Sequence, residues 1–600
     1  MKFFEELKRR NVIKATMAYI VVAWVLIQVL TNILPVFQAP AWVLQTLMIL
    51  LAIGLPIWIF FSWVYDVTPE GIKKTDDIAT DEKITATTNK RLNILILIVL
   101  IVAVGLNFID TDNSENTAVA SNPEITRDNS IAVLPFLDMS PLKDQEYYSD
   151  GIAIEILNSL CKFKKLKVVG RTSSFAFKGK GEDIKSIGQK LNVNNILEGS
   201  VQKQQDRIRI SVRLTDAENG YTVFSESYSD ELENIFELQS KIAMDIAEKI
   251  ESTLALADNE LHPRKKVDPL SFETFLIGKS QFLNGPLNNQ PGELYRAKKY
   301  FEKAVELDSN FAEANAYLSL AYFNLSDWVL PGQDRVKRNI ALDSAKMLAK
   351  RAHSIDSLSS GAHLAMGSYY YHEYDWIKAE KEKRKAVALN PGGTEEKFML
   401  ASFLSQFGQT DEAVELCQEA MKSDPLDENA KLKYVRVLIF SRRFEESIAL
   451  CNQMIEQSTE AAGPYQFLFM AYANTNQLEK ARKAYADHLI RIRDTVMFEV
   501  FKQNDFIPAV KKSIELNDKK RNGNWPSIYM ASFYSWTKDR DNTMKYLYET
   551  YNYKEPQIGW MRLPRFDFLR DDPEYQELYE KAGFKAYDEY KMKQGQMAKS

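Results

Sequence analysis

Small and apolar residues in the C-terminal half of the chain recur with the spacing of packed helices. A small residue stands at every 34th position of this region, and apolar residues flank it at helical intervals. A period of this length accommodates two helices with their turns, and one helix pair can bury its apolar face only against the next pair. The pattern therefore predicts a solenoid of stacked helix pairs. The small residues are Ala345, Ala379, Ala413, Ser447 and Ala481.

The residues around these positions resemble the tetratricopeptide repeat. In the copy that begins near Ser360, Met366, Gly367 and Tyr370 stand where that repeat has Leu, Gly and Tyr, and Pro391 follows its second helix. We expect the repeat array over residues 268–495, and further helical repeats with a cap over 496–600. The resemblance implies an all-α solenoid with a concave surface that holds a protein or peptide partner.

A region with alternating strand and helix patterns precedes the array. Interleaved strands and helices over residues 130–257 indicate an α/β domain. Gln205 and Asp206 are predicted to form a turn between two paired strands. The predicted strands cover 130–136, 166–170, 195–204, 207–216 and 221–228, and the predicted helices cover 147–160, 183–191 and 235–256.

Several motifs in this domain resemble the FlgO/TolB-amino-terminal-like domain. They include YYSDG at 147–151, GRTSSF at 170–175, LEGSV at 197–201 and RLTD at 213–216. Phe224 departs from the family, which usually has Trp there. The resemblance implies a bacterial membrane-anchored protein with C-terminal tetratricopeptide repeats, and it brings no established activity with it.

The N-terminal 110 residues have the composition of a membrane module. Apolar segments at 15–37, 41–65 and 92–109 are close to the length that a membrane-spanning helix needs. We therefore predict three transmembrane helices and contact with the lipid bilayer. A polar linker over 111–129 follows them.

The distribution of basic residues predicts an orientation for this module. Lys and Arg are concentrated before the first apolar segment and between the second and the third. By the positive-inside rule, these stretches face the cytoplasm, and the C-terminal domains are periplasmic in a multi-pass inner-membrane protein. In a rival topology, one of the first two segments is interfacial or re-entrant and the C-terminal domains are cytoplasmic.

Composition and motifs give little support to catalysis. The formal net charge of −5 favours neither nucleic acid nor an acidic ligand. Cys161, Cys417 and Cys451 cannot form a disulfide framework, and the five histidines are scattered, with no carboxylate predicted beside them. The sequence contains no kinase glycine-rich loop and no cyclase-like pair of metal-binding carboxylates. We therefore predict no catalytic residue, no cofactor, no metal and no enzymatic activity.

Asp150 and the stretch 171–174 of the α/β domain can each be interpreted as having a chemical role or a structural role. Asp150 is either the N-cap of a helix or the acid of a hydrolase that also uses Arg171. The hydroxyl-rich stretch 171–174 either presents donors to an anion or caps backbone groups. The structural reading is favoured for both.

The predicted fold class is multidomain, with N-terminal transmembrane helices, an α/β domain and a tetratricopeptide-repeat solenoid. The predicted function is a membrane-anchored, non-enzymatic scaffold. The alternative is a sensory protein whose α/β domain binds a small ligand and signals across the membrane. The sequence leaves open whether the protein forms a homo-oligomer, and no nucleic-acid partner is expected. The predicted protein-binding residues, which the repeat would aim into its groove, are Tyr371, Phe398, Gln406, Arg436, Phe440, Gln466 and Asn474.

Overall fold

The chain is described by a computed structural model and divides into two compact units, Met1–Glu124 and Ile125–Ser600. In the second unit, the described residues are 129–141, 143, 145–250, 266–284, 291–329, 335–458, 461–521 and 526–595. In the first unit, scattered residues between 16 and 74 are described.

The first unit contains a β-hairpin. Strand β1 (Tyr65–Thr68) pairs in antiparallel fashion with β2 (Gly71–Lys74). Among the residues that can be described, no helix combines the length and apolar character that crossing a bilayer requires. This finding corrects the predicted fold class with N-terminal transmembrane helices and the predicted multi-pass inner-membrane location with periplasmic domains. The predicted third span (92–109) lies outside the described residues, as does nearly all of the linker, and the first two spans are described only in part.

The second unit begins with a mixed β-sheet. Its strands lie in the order β5, β3, β6, β7, β8, and the short β4 also pairs with β6. Strands β3, β5 and β6 are parallel, whereas β6, β7 and β8 form an antiparallel meander. Gln204 pairs with Arg207, so the predicted turn at Gln205 and Asp206 is confirmed. The strands are β3 (Ser130–Val133), β4 (Leu137–Asp138), β5 (Lys167–Val168), β6 (Asn195–Gln204), β7 (Arg207–Asp216) and β8 (Thr222–Glu231).

Helices cover both faces of this sheet. Ile131 and Val133 of β3 belong to a core that includes α1 and α4, whereas Ala132 between them packs in a separate core with α3. Covering on both faces explains why every position of β3 is buried. The helices of this part are α1 (Glu146–Leu160), α2 (Arg171–Phe175), α3 (Ile184–Leu191) and α4 (Ile235–Ile250).

Stacked helix pairs form the rest of the unit. Four consecutive first helices begin at Ser360, Thr394, Glu428 and Ala462, so the predicted period of 34 residues is confirmed. The helices are α5 (Pro269–Asn284), α6 (Pro291–Leu307), α7 (Ala312–Asn324), α8 (Arg335–Ile355), α9 (Ser360–His372), α10 (Trp376–Leu389), α11 (Thr394–Gln406), α12 (Thr410–Ser423), α13 (Glu428–Phe440), α14 (Phe444–Gln457), α15 (Ala462–Asn474), α16 (Leu478–Arg491), α17 (Thr495–Gln503), α18 (Phe506–Arg521), α19 (Ser527–Trp536) and α20 (Arg540–Asn552).

The periodic small residues lie where neighbouring helices touch. All five, from Ala345 to Ala481, are 0% exposed. Cys417 and Cys451 occupy equivalent positions and are also fully buried, as expected for small apolar side chains. Close packing at these points allows consecutive pairs to share one continuous core.

The turns inside four consecutive pairs share an unusual backbone conformation. Tyr374, Gly408, Arg442 and Asn476 are 34 residues apart and have φ values of 64°, 82°, 60° and 58°. This left-handed region suits glycine because other residues bring a Cβ too close to the following carbonyl oxygen. Only one of the four turns uses glycine.

The chain ends with a segment that folds back onto the array. Two 3₁₀ turns, Pro556–Arg562 and Pro564–Leu569, are followed by α21 (Pro573–Lys581) and α22 (Phe584–Lys593). Ile558 and Phe566 are 0% exposed and belong to the same core as the later helix pairs. We call Pro556–Leu569 the C-terminal segment.

Candidate protein-binding surface

The predicted binding residues lie on the first helices of four consecutive pairs. Of these seven side chains only Gln466 is exposed, while Phe398 and Phe440 are buried and the others are half-buried. Tyr371 lies on α9, Phe398 and Gln406 on α11, Arg436 and Phe440 on α13, and Gln466 and Asn474 on α15.

The C-terminal segment lies against this inner wall. The Tyr371 hydroxyl donates a hydrogen bond to Gln406 Oε1 at 2.9 Å. Gly559 comes so near that a Cβ added there would lie 2.7 Å from the same oxygen. The ring centroids of Phe440 and Trp560 are 6.2 Å apart. Part of the predicted groove is therefore filled by the protein's own chain.

Residues in the left-handed turns donate hydrogen bonds to the C-terminal segment and to Glu555 just before it. Arg442 donates to both carboxylate oxygens of Asp567 at 3.1 Å and to the Arg562 carbonyl oxygen at 3.1 Å. The Tyr374 hydroxyl donates to the Glu555 carbonyl oxygen at 2.8 Å. Bidentate contacts of this kind fix the orientation of a segment as well as its position.

A buried cluster around Glu380 anchors α22. The Glu380 carboxylate accepts from Lys591 Nζ at 2.9 Å, the Tyr587 hydroxyl at 2.7 Å and Arg384 Nε at 2.7 Å. Burial alone would raise the pKa of Glu380, but these hydrogen bonds outweigh it and lower the pKa. Lys591 is only 1% exposed, so this carboxylate takes the place of water around its ammonium group.

Arg565 is a buried cation between aromatic rings. Its guanidinium lies 5.4 Å from the Trp536 ring centroid and 5.6 Å from that of Trp560. Burial lowers the pKa of Arg565 to about 9. Ring faces attract a desolvated cation, so they partly replace its water.

The α/β domain docks onto the turns of the solenoid through α2. The backbone N–H groups of Thr172 and Ser173 donate to the Asp424 carboxylate at 3.2 and 2.7 Å, and the Gly170 N–H donates to the Ser423 carbonyl oxygen at 2.5 Å. Asp424 thus caps a helix of another domain. The hydroxyl-rich stretch 171–174 therefore binds a carboxylate of the solenoid through its backbone N–H groups.

A second contact joins α1 to the loop between α10 and α11. The Gly392 N–H donates to the Cys161 carbonyl oxygen at 2.8 Å, and a Cβ at position 392 would lie 2.8 Å from Cys161 backbone atoms. Nearby, Lys279 Nζ and the Glu155 carboxylate form a buried ion pair at 2.7 Å. Glycine is required here because the two backbones approach so closely.

Asp150 is not a helix cap, so that prediction is wrong. Helix α1 begins at Glu146, which places Asp150 one turn inside it. Its carboxylate is bonded to Lys178 Nζ at 2.6 Å. Burial raises the pKa of Asp150, while the hydrogen bond from Lys178 acts against this increase. Arg171 contributes to the electrostatic surroundings of Asp150 and of Asp424.

Two histidines have carboxylate partners that sequence spacing did not reveal. His372 Nε2 lies 2.9 Å from Asp327 Oδ1, and His363 Nδ1 lies 2.5 Å from Glu382 Oε2. The expectation that no carboxylate stands beside these histidines is therefore wrong. The partners are 45 and 19 residues away in the sequence and come into contact only when the helices stack.

The α/β domain has a cleft of about 500 Å³ between β8 and α4. Acidic side chains outnumber basic ones in its lining, which includes Glu226, Asp230, Asp245, Lys241 and Lys249. A small ligand of this domain stays a prediction.

Family profiles match three stretches of the chain. Residues 127–245 match the profile of the "HilA/YgeH-like transcriptional regulator, second domain". Residues 291–311 and 404–462 match tetratricopeptide-repeat profiles. The C-terminal repeats are thereby confirmed, whereas the FlgO/TolB-like assignment of the α/β domain is not shown.

A curated relative contradicts the prediction that the protein is not an enzyme. "Putative adenylate cyclase 3" of Rhizobium meliloti (strain 1021) is 32% identical over 253 residues, which are 42% of this chain and 42% of the relative. The match thus spans less than half of that relative's length.

Two solved structures are similar to parts of the chain. The first is the crystal structure of YrrB, "a TPR protein with an unusual peptide-binding site" (19% identity, 34% of this chain, 98% of YrrB, TM-score 0.24). The second is that of pilF of Pseudomonas aeruginosa (15% identity, 39% of this chain, 96% of pilF, TM-score 0.27).

Proposed function

We propose that this protein is a protein–protein interaction scaffold whose tetratricopeptide-repeat solenoid binds a polypeptide partner. One observation carries the proposal: the inner wall already holds a polypeptide, since Tyr371, Gln406 and Phe440 lie against Gly559 and Trp560. The wall therefore has the shape and chemistry to bind a polypeptide segment through aromatic and amide side chains.

The C-terminal segment is too firmly packed to leave easily. Ile558 and Phe566 are fully buried, and Met561, Leu563 and Leu569 are at most 2% exposed. Each such side chain contributes about 1.5 to 3 kcal/mol through its burial. An external partner is therefore expected to bind beside this segment rather than in its place.

An exposed apolar row on α8 suits such a partner. Val336, Ile340 and Met347 are 69%, 61% and 63% exposed, and their spacing puts them on one face of the helix. Apolar patches of this kind on a folded surface mark interaction sites. We assign the partner to this row, with Gln466 as the accessible residue of the inner wall.

The test is site-specific photo-crosslinking in cells. A photoreactive residue at position 340 or 347 should capture the same polypeptide, while the same residue at Ile490, which is 50% exposed on α16, should not. Met347→Glu should abolish capture at position 340. Equal capture at all three positions, or none at any, would refute the assignment.

The name of the curated relative supports a second candidate, adenylate cyclase activity. The 253 matched residues leave more than half of that relative unmatched. The test is formation of cyclic AMP from ATP by the purified full chain, with heat-denatured protein as the control. Product formation supports the candidate, and its absence refutes it.

A further inference from the structure

Two histidines and a glutamate from three consecutive helices converge on one point. His353 is in the last turn of α8, His363 is in the first turn of α9, and Glu382 is on α10. One nitrogen from each imidazole and one carboxylate oxygen all lie within 4.8 Å of one another. The two rings meet edge to face with centroids 5.0 Å apart.

Both ring nitrogens of His363 lie at hydrogen-bond distance from oxygen atoms. His363 Nε2 lies 2.9 Å from the Ser357 carbonyl oxygen, and Nδ1 lies 2.5 Å from Glu382 Oε2. Both ring nitrogens thus face acceptor oxygens, although a neutral imidazole carries only one N–H. A protonated ring satisfies both oxygens by donating from each nitrogen, whereas a neutral ring that donates from Nε2 leaves Nδ1 and Glu382 available to bind a metal ion together.

His353 provides an unsatisfied nitrogen. Its Nδ1 is buried and has no hydrogen-bond partner. A buried polar atom without a partner costs about 1 to 3 kcal/mol, so such atoms need an explanation. A metal ion at the cluster would give the imidazole of His353 a partner.

We propose that His353, His363 and Glu382 bind a divalent transition-metal ion, with Zn²⁺ the best fit. Two imidazoles and one carboxylate form a donor set that zinc accepts, and a fourth position stays open to water or a further ligand. Ligands around tetrahedral zinc are roughly 3.4 Å apart for bonds of about 2.1 Å. To bind zinc, His363 Nδ1 and Glu382 Oε2 must therefore separate by about 1 Å, and the most widely spaced donor atoms must approach each other by a similar distance. The Ser357 carbonyl orients the ring of His363 from behind, as outer-shell acceptors do in metal sites.

Such an ion would cross-link α8, α9 and α10. These helices belong to consecutive pairs, and α8 carries the exposed row assigned to the partner. The metal site is formed by residues of the cluster alone and does not depend on whether that row binds a partner.

The experiment is titration of the full chain, stripped with a chelator, with Zn²⁺ alone by calorimetry at neutral pH. We expect one site per chain that is weakened at least about 10-fold in His353→Gln and in Glu382→Gln. His488→Gln is the matched control, because His488 bonds to the Ala462 carbonyl oxygen away from the cluster, and it should bind as the wild type does.

A second measurement separates metal binding from folding. Zn²⁺ should raise the melting temperature of the wild type and of His488→Gln, but not that of His353→Gln, whose half-buried side chain is replaced without loss of the fold. Absence of Zn²⁺ binding to the wild type, or binding unchanged by both His353→Gln and Glu382→Gln, would overturn the proposal.

Discussion

Removal of the Glu380 carboxylate should detach α22 from the solenoid. In Glu380→Ala, Lys591 keeps its charge at a position only 1% exposed and loses the acid that holds it. Breaking a buried ion pair from one side costs about 3 to 5 kcal/mol. We expect a loss of this size in the free energy of opening of residues 584–593, measured by native-state hydrogen exchange.

Lys591→Met is the matched variant for this experiment. It leaves the carboxylate bonded to Arg384 and Tyr587 and fills the space of the lysine stem with an apolar chain. The cost should be smaller, about 1.5 to 3 kcal/mol for one hydrogen bond to a charged group. A loss in Lys591→Met equal to that in Glu380→Ala would refute the reasoning, because a stranded charge would then not be the cause.

The same cluster predicts a dependence on pH. The pKa of Glu380 is lower in the folded protein than its ordinary value of 4.5. The resulting stabilisation is complete above the unfolded value and is lost as the pH falls through the folded one. The urea midpoint should therefore fall more steeply below about pH 4.5 in the wild type than in Glu380→Gln.

Three further substitutions test the packing of the second unit. Asp424→Ala should cost about 2 kcal/mol and increase hydrogen exchange in residues 171–175, whereas Asp539→Ala, which removes the cap of α20, should cost about 1 kcal/mol and leave that stretch protected. Gly392→Ala should loosen the contact between α1 and the loop that follows α10, because its Cβ meets the Cys161 backbone, and limited proteolysis should then cut this loop faster. Ala413→Leu should destabilise the array by about 1 to 3 kcal/mol, seen as a lower melting temperature, since the position is 0% exposed. Unchanged protection in Asp424→Ala, an unchanged digestion pattern in Gly392→Ala or an unchanged melting temperature in Ala413→Leu would contradict the respective contact.

Local patterns predicted most of the secondary structure. The 34-residue period located the helix pairs because burial of the small residues repeats with it. The strands 195–204 and 207–216 were predicted with their observed bounds, since alternation and a two-residue turn are properties of neighbouring residues.

Contacts between distant parts of the chain were not predictable in this way. Arg442 and Asp567 are 125 residues apart, and Tyr587 and Glu380 are 207 apart. No periodicity indicates which segment will lie in a groove. For this reason, the sequence placed the predicted binding residues on the first helices of the pairs but missed that the C-terminal segment covers several of them.

The left-handed turns show why this array does without glycine at two of the four positions where its backbone favours it. Tyr374 and Arg442 adopt a conformation that costs a residue with a Cβ roughly 1 kcal/mol. In return, their side chains reach the Glu555 carbonyl oxygen and the Asp567 carboxylate. Tyr374→Gly and Arg442→Gly would relax the turns and at the same time remove these hydrogen bonds to the chain end. Tyr374 and Arg442 thus adopt a strained backbone conformation and in doing so bind the C-terminal segment and Glu555 before it. A consensus design with glycine in these turns would produce a more regular solenoid that lacks these two contacts.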